Sequence, residues 1–426
     1  MKRSTGIRAT LLDMRMAGTY VSVVVGPVAE VTDDELLNRL QHMTSGGPEY
    51  RIGILPSSSK RQWAYQIPDE GWVHTGTGAD THDVAASALE ALEWRETAPV
   101  VAARGRDHLT IRFDHGIGDA FVIYSVIGAL CALDGRSPVF EESQRWAWSP
   151  LSRTVMKSVL VGRRQYLEAV RSTIGAAFRR GRRPGPVGPG GDTDRLPEMR
   201  STVVFARSGD QLWTELREAA GRHAAATPSA LLCYRLSSAL RQHLPAIDDQ
   251  LKVIVNMRRY LPKGESFYGN MNAAATLAAS SDQDEFVAGY VAAVRDNTTP
   301  GRLAASVVKA RITTAISNPG KQRAISTDNT ITLVVSDISR GDMSEVIHYV
   351  DSGSVPRTFC VALPLSRPNQ MSLLIARVGA EVQVTATFDA GLVDADAVRA
   401  ALAHALRDSQ PDAAVTEVRT TEGIGE

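Results

Sequence analysis

Between Leu109 and Leu130 the chain changes its hydrophobic period abruptly, and that change dictates the local fold. Leu109, Ile111 and Phe113 alternate with Thr110, Arg112 and Asp114, the period of two that marks a half-buried strand. From Phe121 to Leu130 the residues are nearly all apolar or small, a run long enough for a buried helix. Gly116 and Gly118 separate the two, and they let the backbone turn sharply and approach a ligand closely. This arrangement leaves His115 at the strand end and Asp119 four residues further on. An imidazole presented there, free to face a cleft, meets the requirement for a general base. The Asp119 carboxylate has two uses open to it: holding the ring in one tautomer, or pairing elsewhere and locking the loop.

The spacing alone discriminates poorly. Among nine histidines, His404 and Asp408 repeat the same interval within 397–408, an amphipathic helical pattern. There a pair at i and i+4 is an ordinary helix-face contact. Only the setting of strand, glycine turn and apolar helix separates His115 from His404.

A chain of 426 residues has room for two domains or one large bilobed unit. Hydrophobic residues make up 43% and charged ones 22%, as expected of a globular enzyme. Its 47 basic residues balance 47 acidic ones, so no global charge points to nucleic acid or a membrane surface. Cys131, Cys233 and Cys360 are widely spaced in apolar contexts; they offer neither a metal-ligand spacing nor a disulfide framework and read as small buried hydrophobes. The basic start Met1-Lys2-Arg3 is not followed by an apolar signal core. No stretch approaches the roughly 18 apolar residues of a membrane span, and a cytoplasmic location is expected.

Along the chain, 19–26 reads as a strand and 31–40 as a helix with a Thr32 cap and an acidic first turn. Segments 50–55 and 61–67 read as paired strands around a serine-rich loop. A helix is expected over 83–93. Arginines accumulate over 163–183, either as a solvated helix face or as a dock for an anionic partner such as coenzyme phosphates or an acidic carrier protein. That stretch dissolves into a glycine- and proline-rich seam over 181–191, which can hold neither a helix nor an interior strand. Strands are expected at 200–206, 251–259, 330–337, 359–363, 371–378 and 382–388. Helices are expected at 211–225, from Thr227-Pro228 onward, and at 284–297 and 303–317. Asn256 and Asn270, at a strand end and in a loop, serve either turn geometry or substrate contact. No Gly-x-Ser-x-Gly elbow occurs, which disfavours a covalent serine hydrolase.

The segment Asp114-His115-Gly116-Ile117-Gly118-Asp119-Ala120 resembles the His-His-x-x-x-Asp-Gly motif of the chloramphenicol acetyltransferase-like, thioester-dependent acyltransferases. Peptide-synthetase condensation domains, wax ester synthases and polyketide-associated acyltransferases belong to that superfamily. Asp114 stands where the motif has its first histidine, and Ala120 where it has its glycine. The plant branch's Asp-Phe-Gly-Trp-Gly signature is absent. The resemblance implies an α/β (α+β) fold of two similar lobes, each a mostly antiparallel sheet with covering helices. An active-site tunnel would run between the lobes, with His115 midway along it. Residues 1–180 would form the N-terminal lobe, 181–195 a linker and 196–426 the C-terminal lobe.

The resemblance further implies that His115 is the general base and that Arg258 pairs with Asp119, making that aspartate structural. It likens Ser336 to a cleft-lining strand-end serine. Oxyanion stabilisation, commonly worth about 3 kcal/mol, would come from the backbone N–H of Gly118 or Asp119 or from the Ser336 hydroxyl. The implied reaction moves an acyl group from a pantetheine thioester, as acyl-CoA or acyl carrier protein, to a small-molecule alcohol or amine. No bound cofactor or metal is called for, because the thioester is already activated. The alternatives are a condensation-like enzyme that cyclises a carrier-bound intermediate, and a non-catalytic carrier-protein-binding module.

Overall fold

A computed structural model of the chain describes residues 6–75, 83–132, 145–146, 199–296, 299 and 330–407, with short gaps at 224–225, 262, 264 and 354. The arginine-rich stretch 163–183, the seam 181–195 and the helix expected at 303–317 lie outside the described residues.

In chain order the first half comprises β1 (Gly6–Arg8), α1 (Leu11–Met16), β2 (Tyr20–Gly26), α2 (Asp33–Thr44) and β3 (Gln62–Ala64). It continues with α3 (Val84–Leu92), β4 (Val100–Arg104), β5 (Leu109–Asp114), α4 (Ala120–Cys131) and β6 (Arg145–Trp146). Then follow β7 (Ser201–Arg207), α5 (Leu212–Gly221), α6 (Pro228–His243), β8 (Ile247–Asn256), β9 (Glu265–Ser266) and β10 (Asn272–Ala278). The last described elements are α7 (Gln283–Arg295), β11 (Ile331–Asp337), β12 (Thr358–Ala362), β13 (Gln370–Val378), β14 (Glu381–Asp389) and α8 (Ala395–Ala405). Several helix starts follow directly from local chemistry. Thr32 and Glu35 close a reciprocal capping box on α2, and Thr227 caps α6 ahead of Pro228.

Two main sheets organise the molecule. A four-stranded, wholly antiparallel sheet runs β12-β2-β5-β4. A six-stranded sheet runs β10-β8-β11-β13-β14-β7, parallel at β8–β11 and β11–β13 and antiparallel elsewhere. On the first sheet, Val21, Val23 and Val25 of β2 join Ile111 and Phe113 of β5 in one core with Leu36 and Leu40 of α2 and the apolar face of α4. Helices α5 to α8 cover one face of the second sheet.

The pairing expected between 50–55 and 61–67 is present in part: the antiparallel bridge Ile54–Tyr65 joins them, with the N–H groups of Leu55 and Gln66 donating to the carbonyls of Ala64 and Gly53, while β3 itself pairs with β1. Strand β12, from within 196–426, lies beside β2 at the edge of the four-stranded sheet. The outer edge of β12 is joined to the other sheet. The N–H groups of Phe359, Val361 and Leu363 donate to the side chains of Gln383, Thr385 and Thr387, which satisfies donors that an edge strand otherwise leaves open. Helix α3 wedges between the sheets, packing Val84 and Ala88 with Val24, Cys360 and Phe205.

That wedge also explains why β5 is buried on both faces despite its alternating pattern. The polar set Thr110, Arg112 and Asp114 is buried, and Arg112 donates to the carbonyls of Trp94 and Glu96, just beyond α3. His108, immediately before β5, is 2% exposed, and neither ring nitrogen has a partner among the described residues. Burial, reinforced by nearby Arg207 and opposed by Asp107, holds its pKa below the ordinary 6.5. The unfolded chain therefore binds more protons than the folded one just below that value. The stability contributed by neutral His108 is complete above it and lost as pH falls through the folded pKa. Comparing wild type with His108→Leu by urea denaturation at about pH 7.5 and 5, we expect wild type to lose stability relative to the variant on acidification. A pH-independent difference between the two contradicts this.

Candidate active site

The site is built on the turn that follows β5. Asp114 ends the strand and caps the single helical turn His115–Ile117: its Oδ1 accepts from the N–H of Gly116 at 2.7 Å and its Oδ2 from that of Gly18 at 3.0 Å. Burial raises the Asp114 pKa, and the two N–H donors oppose that rise. The acid at the motif's first position is thus committed to the backbone of the turn. His115 donates its own N–H to the carbonyl of Thr19 at 2.7 Å. Its Nδ1 is buried and has no hydrogen-bond partner among the described residues.

Asp119, 1% exposed, caps α4 through the N–H of Phe121. Its Oδ2 receives Arg258 Nη1 at 2.7 Å and the N–H of Met271 at 2.9 Å. The carboxylate therefore ties the two lobes together instead of orienting the imidazole, and of the two uses left open by its spacing the geometry adopts the second. Arg258 is fully engaged, donating also to the carbonyls of Phe267 and Gly269, while Phe121 lies 5.0 Å from its guanidinium. Gly118 has an extended φ of 164°, and a Cβ there would come within 2.5 Å of the Tyr268 carbonyl oxygen and of Val122 Cγ2. Gly118→Ala is accordingly expected to cost about 1–3 kcal/mol by overpacking, read as a lowered denaturation midpoint with unchanged slope. An unchanged midpoint rules the close approach out.

The other candidates divide. Asn270, 4% exposed, donates Nδ2 to the His115 carbonyl at 2.8 Å, so it belongs to the site. Asn256 does not: it is exposed, and its Oδ1 accepts from the N–H of Arg258 at 2.9 Å as a cap. Ser336 is half-buried near the end of β11, opposite Leu374 of β13. His404 lies on α8 with its ring 5.9 Å from that of His243, and Asp408 is outside the described residues. The three cysteines are free and buried, and burial pushes Cys131 and Cys360 up to about 12. Among the described residues no group of three His, Cys, Asp or Glu could hold a metal, and no helix is long and apolar enough to cross a membrane. A cleft of about 630 Å³ between β10 and α7, lined by Thr276, Glu285 and Arg295 among others, contains none of these site residues.

Sequence reasoning missed Asp13 and Arg51, which hold the same turn. The Thr10-x-x-Asp13 capping spacing was a readable signal for α1, though not for the site. Arg51 had no local signal at all.

No protein-family model matches the chain, and no curated sequence matches it. Solved structures do. The cyclization-docking bidomain of the nonribosomal peptide synthetase EpoB from Sorangium cellulosum aligns with a TM-score of 0.57 at 13% identity, over 95% of this chain and 83% of that one. TRI3 trichothecene 15-O-acetyltransferase from Fusarium sporotrichioides aligns with a TM-score of 0.55 at 11% identity, over 95% and 94%. The nonribosomal peptide synthetase FmoA3 aligns with a TM-score of 0.53 at 15% identity; the match covers 94% of this chain but only 42% of that much longer one. The chain therefore shares the fold of these structures, as the resemblance of the His115 motif implies.

Proposed function

We propose that the protein transfers an acyl group from a pantetheine thioester to a hydroxyl or amine, with His115 as general base. The observation that carries this reading is the His115 turn. It sits at the junction of the lobes, its backbone pinned by both, with an imidazole that is not spent on a structural hydrogen bond to Asp119. As the acceptor's oxygen or nitrogen bonds to the thioester carbonyl carbon, its proton passes to His115. The carbonyl electron pair moves onto oxygen; on collapse the carbon–sulfur bond breaks, and the departing thiolate takes the proton from the imidazolium. The products are an ester or amide and a free thiol. A neutral imidazole near its own pKa suits both transfers.

The N–H groups of Gly118 and Asp119, which follow His115 on the turn, are candidates to receive the oxyanion. Ser336 is the third candidate. Acyl-CoA or an acylated carrier protein serves as donor, and the two substrates reach His115 through a tunnel between the lobes. The distant likeness to peptide-synthetase structures and to an acetyltransferase supports this class of chemistry.

The test is turnover of wild type against a panel of acyl-CoAs and acylated carrier proteins, with thiol release and product mass as readouts. An intermolecular ester or amide supports transfer, and a cyclised carrier-bound product favours the condensation-like alternative. Binding of carrier protein with no thiol release favours the non-catalytic module.

A further inference from the structure

We propose that Asp13 is a positioning residue for His115, acting as the shared acceptor through which Arg51 and Asn270 hold the carbonyls of the His115 turn. This rests on the reading of His115 as the base. Asp13 lies in α1 and is 0% exposed. Its Oδ1 accepts from the N–H of Asn270 at 2.9 Å and from Asn270 Nδ2 at 3.2 Å, and it pairs with Arg51 Nη2 at 3.1 Å. Its Oδ2 accepts from the N–H and hydroxyl of Thr10, at 3.0 and 2.8 Å. A carboxylate with this many donors is fully satisfied while buried, as a buried charge must be.

The groups that Asp13 gathers reach the turn one carbonyl at a time. Asn270 Nδ2 donates to the carbonyl of His115 at 2.8 Å. Arg51 donates through Nη2 to that of Gly116 at 3.0 Å and through Nε to that of Ile117. A single helical turn leaves its carbonyls without internal partners, so these side chains define where the turn sits. Asn270 comes from the lobe that carries β8 and β10, whereas Asp13 and Arg51 come from the N-terminal part of the chain. Docking of the lobes and alignment of the base are thereby the same event. Arg51 bears a sign of this constraint: its φ of 71° makes it the one non-glycine positive-φ residue among those described. Such a conformation persists only where the surroundings hold it.

Among the described residues no hydrogen bond or ion pair joins Asp13 to the imidazole, so its effect on chemistry runs through the backbone. Asparagine at position 13 keeps the shape but withdraws the charge opposite Arg51 and can turn a donor toward two donors. A purely structural aspartate would loosen the whole fold. A positioning one loosens the turn first.

Amide hydrogen exchange separates these outcomes without any substrate. In Asp13→Asn, exchange at His115 and Gly116 is expected to accelerate at least about tenfold more than at Ile111 in the middle of β5. Equal acceleration at all three positions overturns the proposal. Should Asp13→Asn fail to fold, Asn270→Ala keeps the Asp13–Arg51 pair and removes the link to His115. Selective loosening at His115 is expected there too, and unchanged exchange at His115 overturns the proposal. With any thioester donor that wild type uses, Asp13→Asn should lower kcat about 10- to 100-fold and leave KM within about twofold; an unchanged kcat overturns the proposal. A wild type that turns over no donor removes the acyl-transfer reading instead, while the exchange data still decide whether Asp13 holds the turn.

Discussion

His115→Ala is expected to cut turnover of the acyl donor by at least about a hundredfold, the usual contribution of a positioned general base, with the fold intact. Both halves follow from the same geometry. The interactions that place residue 115 are made by its main chain: its N–H with Thr19 and its carbonyl with Asn270. Alanine keeps both. The imidazole adds no hydrogen bond at Nδ1, so its removal leaves no orphaned partner there. A stability loss of about 1 kcal/mol or less is expected, in the range of ordinary substitutions. The measurement pairs steady-state thiol release with urea denaturation of the same preparations. A variant as active as wild type removes His115 from the chemistry, and a variant that unfolds shows that the ring packs more than it reacts.

Arg258→Ala should do the opposite, damaging structure before chemistry. Asp119 is 1% exposed, and Arg258 is the cation that meets it, at 2.7 Å. Deleting that partner strands a buried carboxylate, a change that costs about 3–5 kcal/mol where a pair is truly desolvated. The Arg258 side chain is 14% exposed, which puts the expectation at the lower end of that range. The carbonyls of Phe267 and Gly269 lose their guanidinium donor as well. Asp119→Asn is expected to be milder, because an amide oxygen in the place of Oδ2 still accepts from Arg258 and the N–H of Met271, and only the cap on the N–H of Phe121 is lost. Chemical denaturation of the single and double variants gives the coupling between 119 and 258. Additive single effects would mean that the pair is not a unit.

Much of the site's scaffold was legible because it is local. The switch from alternation to an apolar run placed β5, the turn and α4, and the caps at Thr32 and Thr227 placed helices, since capping and periodicity act within a few residues. The pairing expected between 50–55 and 61–67 came out only as one antiparallel bridge, because 62–64 finds its strand partner in the remote segment Gly6–Arg8, which no local pattern reveals. The alternation in β5 likewise promised one wet face, and α3 covered it.

By itself the sequence determined the strand–turn–helix unit, the placement of His115 and Asp119 at its bend, and the mixed α and β character of the chain. Tertiary structure decided what those residues do to one another, the Asp119–Arg258 pair having been implied only through the family resemblance. It joined Asp119 to Arg258 across 139 positions and Asn270 to Asp13 across 257. It also carried β12 back beside β2 and committed Asp114 to the backbone of its own turn. The physical reason is that hydrophobic period and capping are written in neighbouring residues. The partner of a buried charge is chosen only when distant segments are packed out of water together and each donor must find an acceptor.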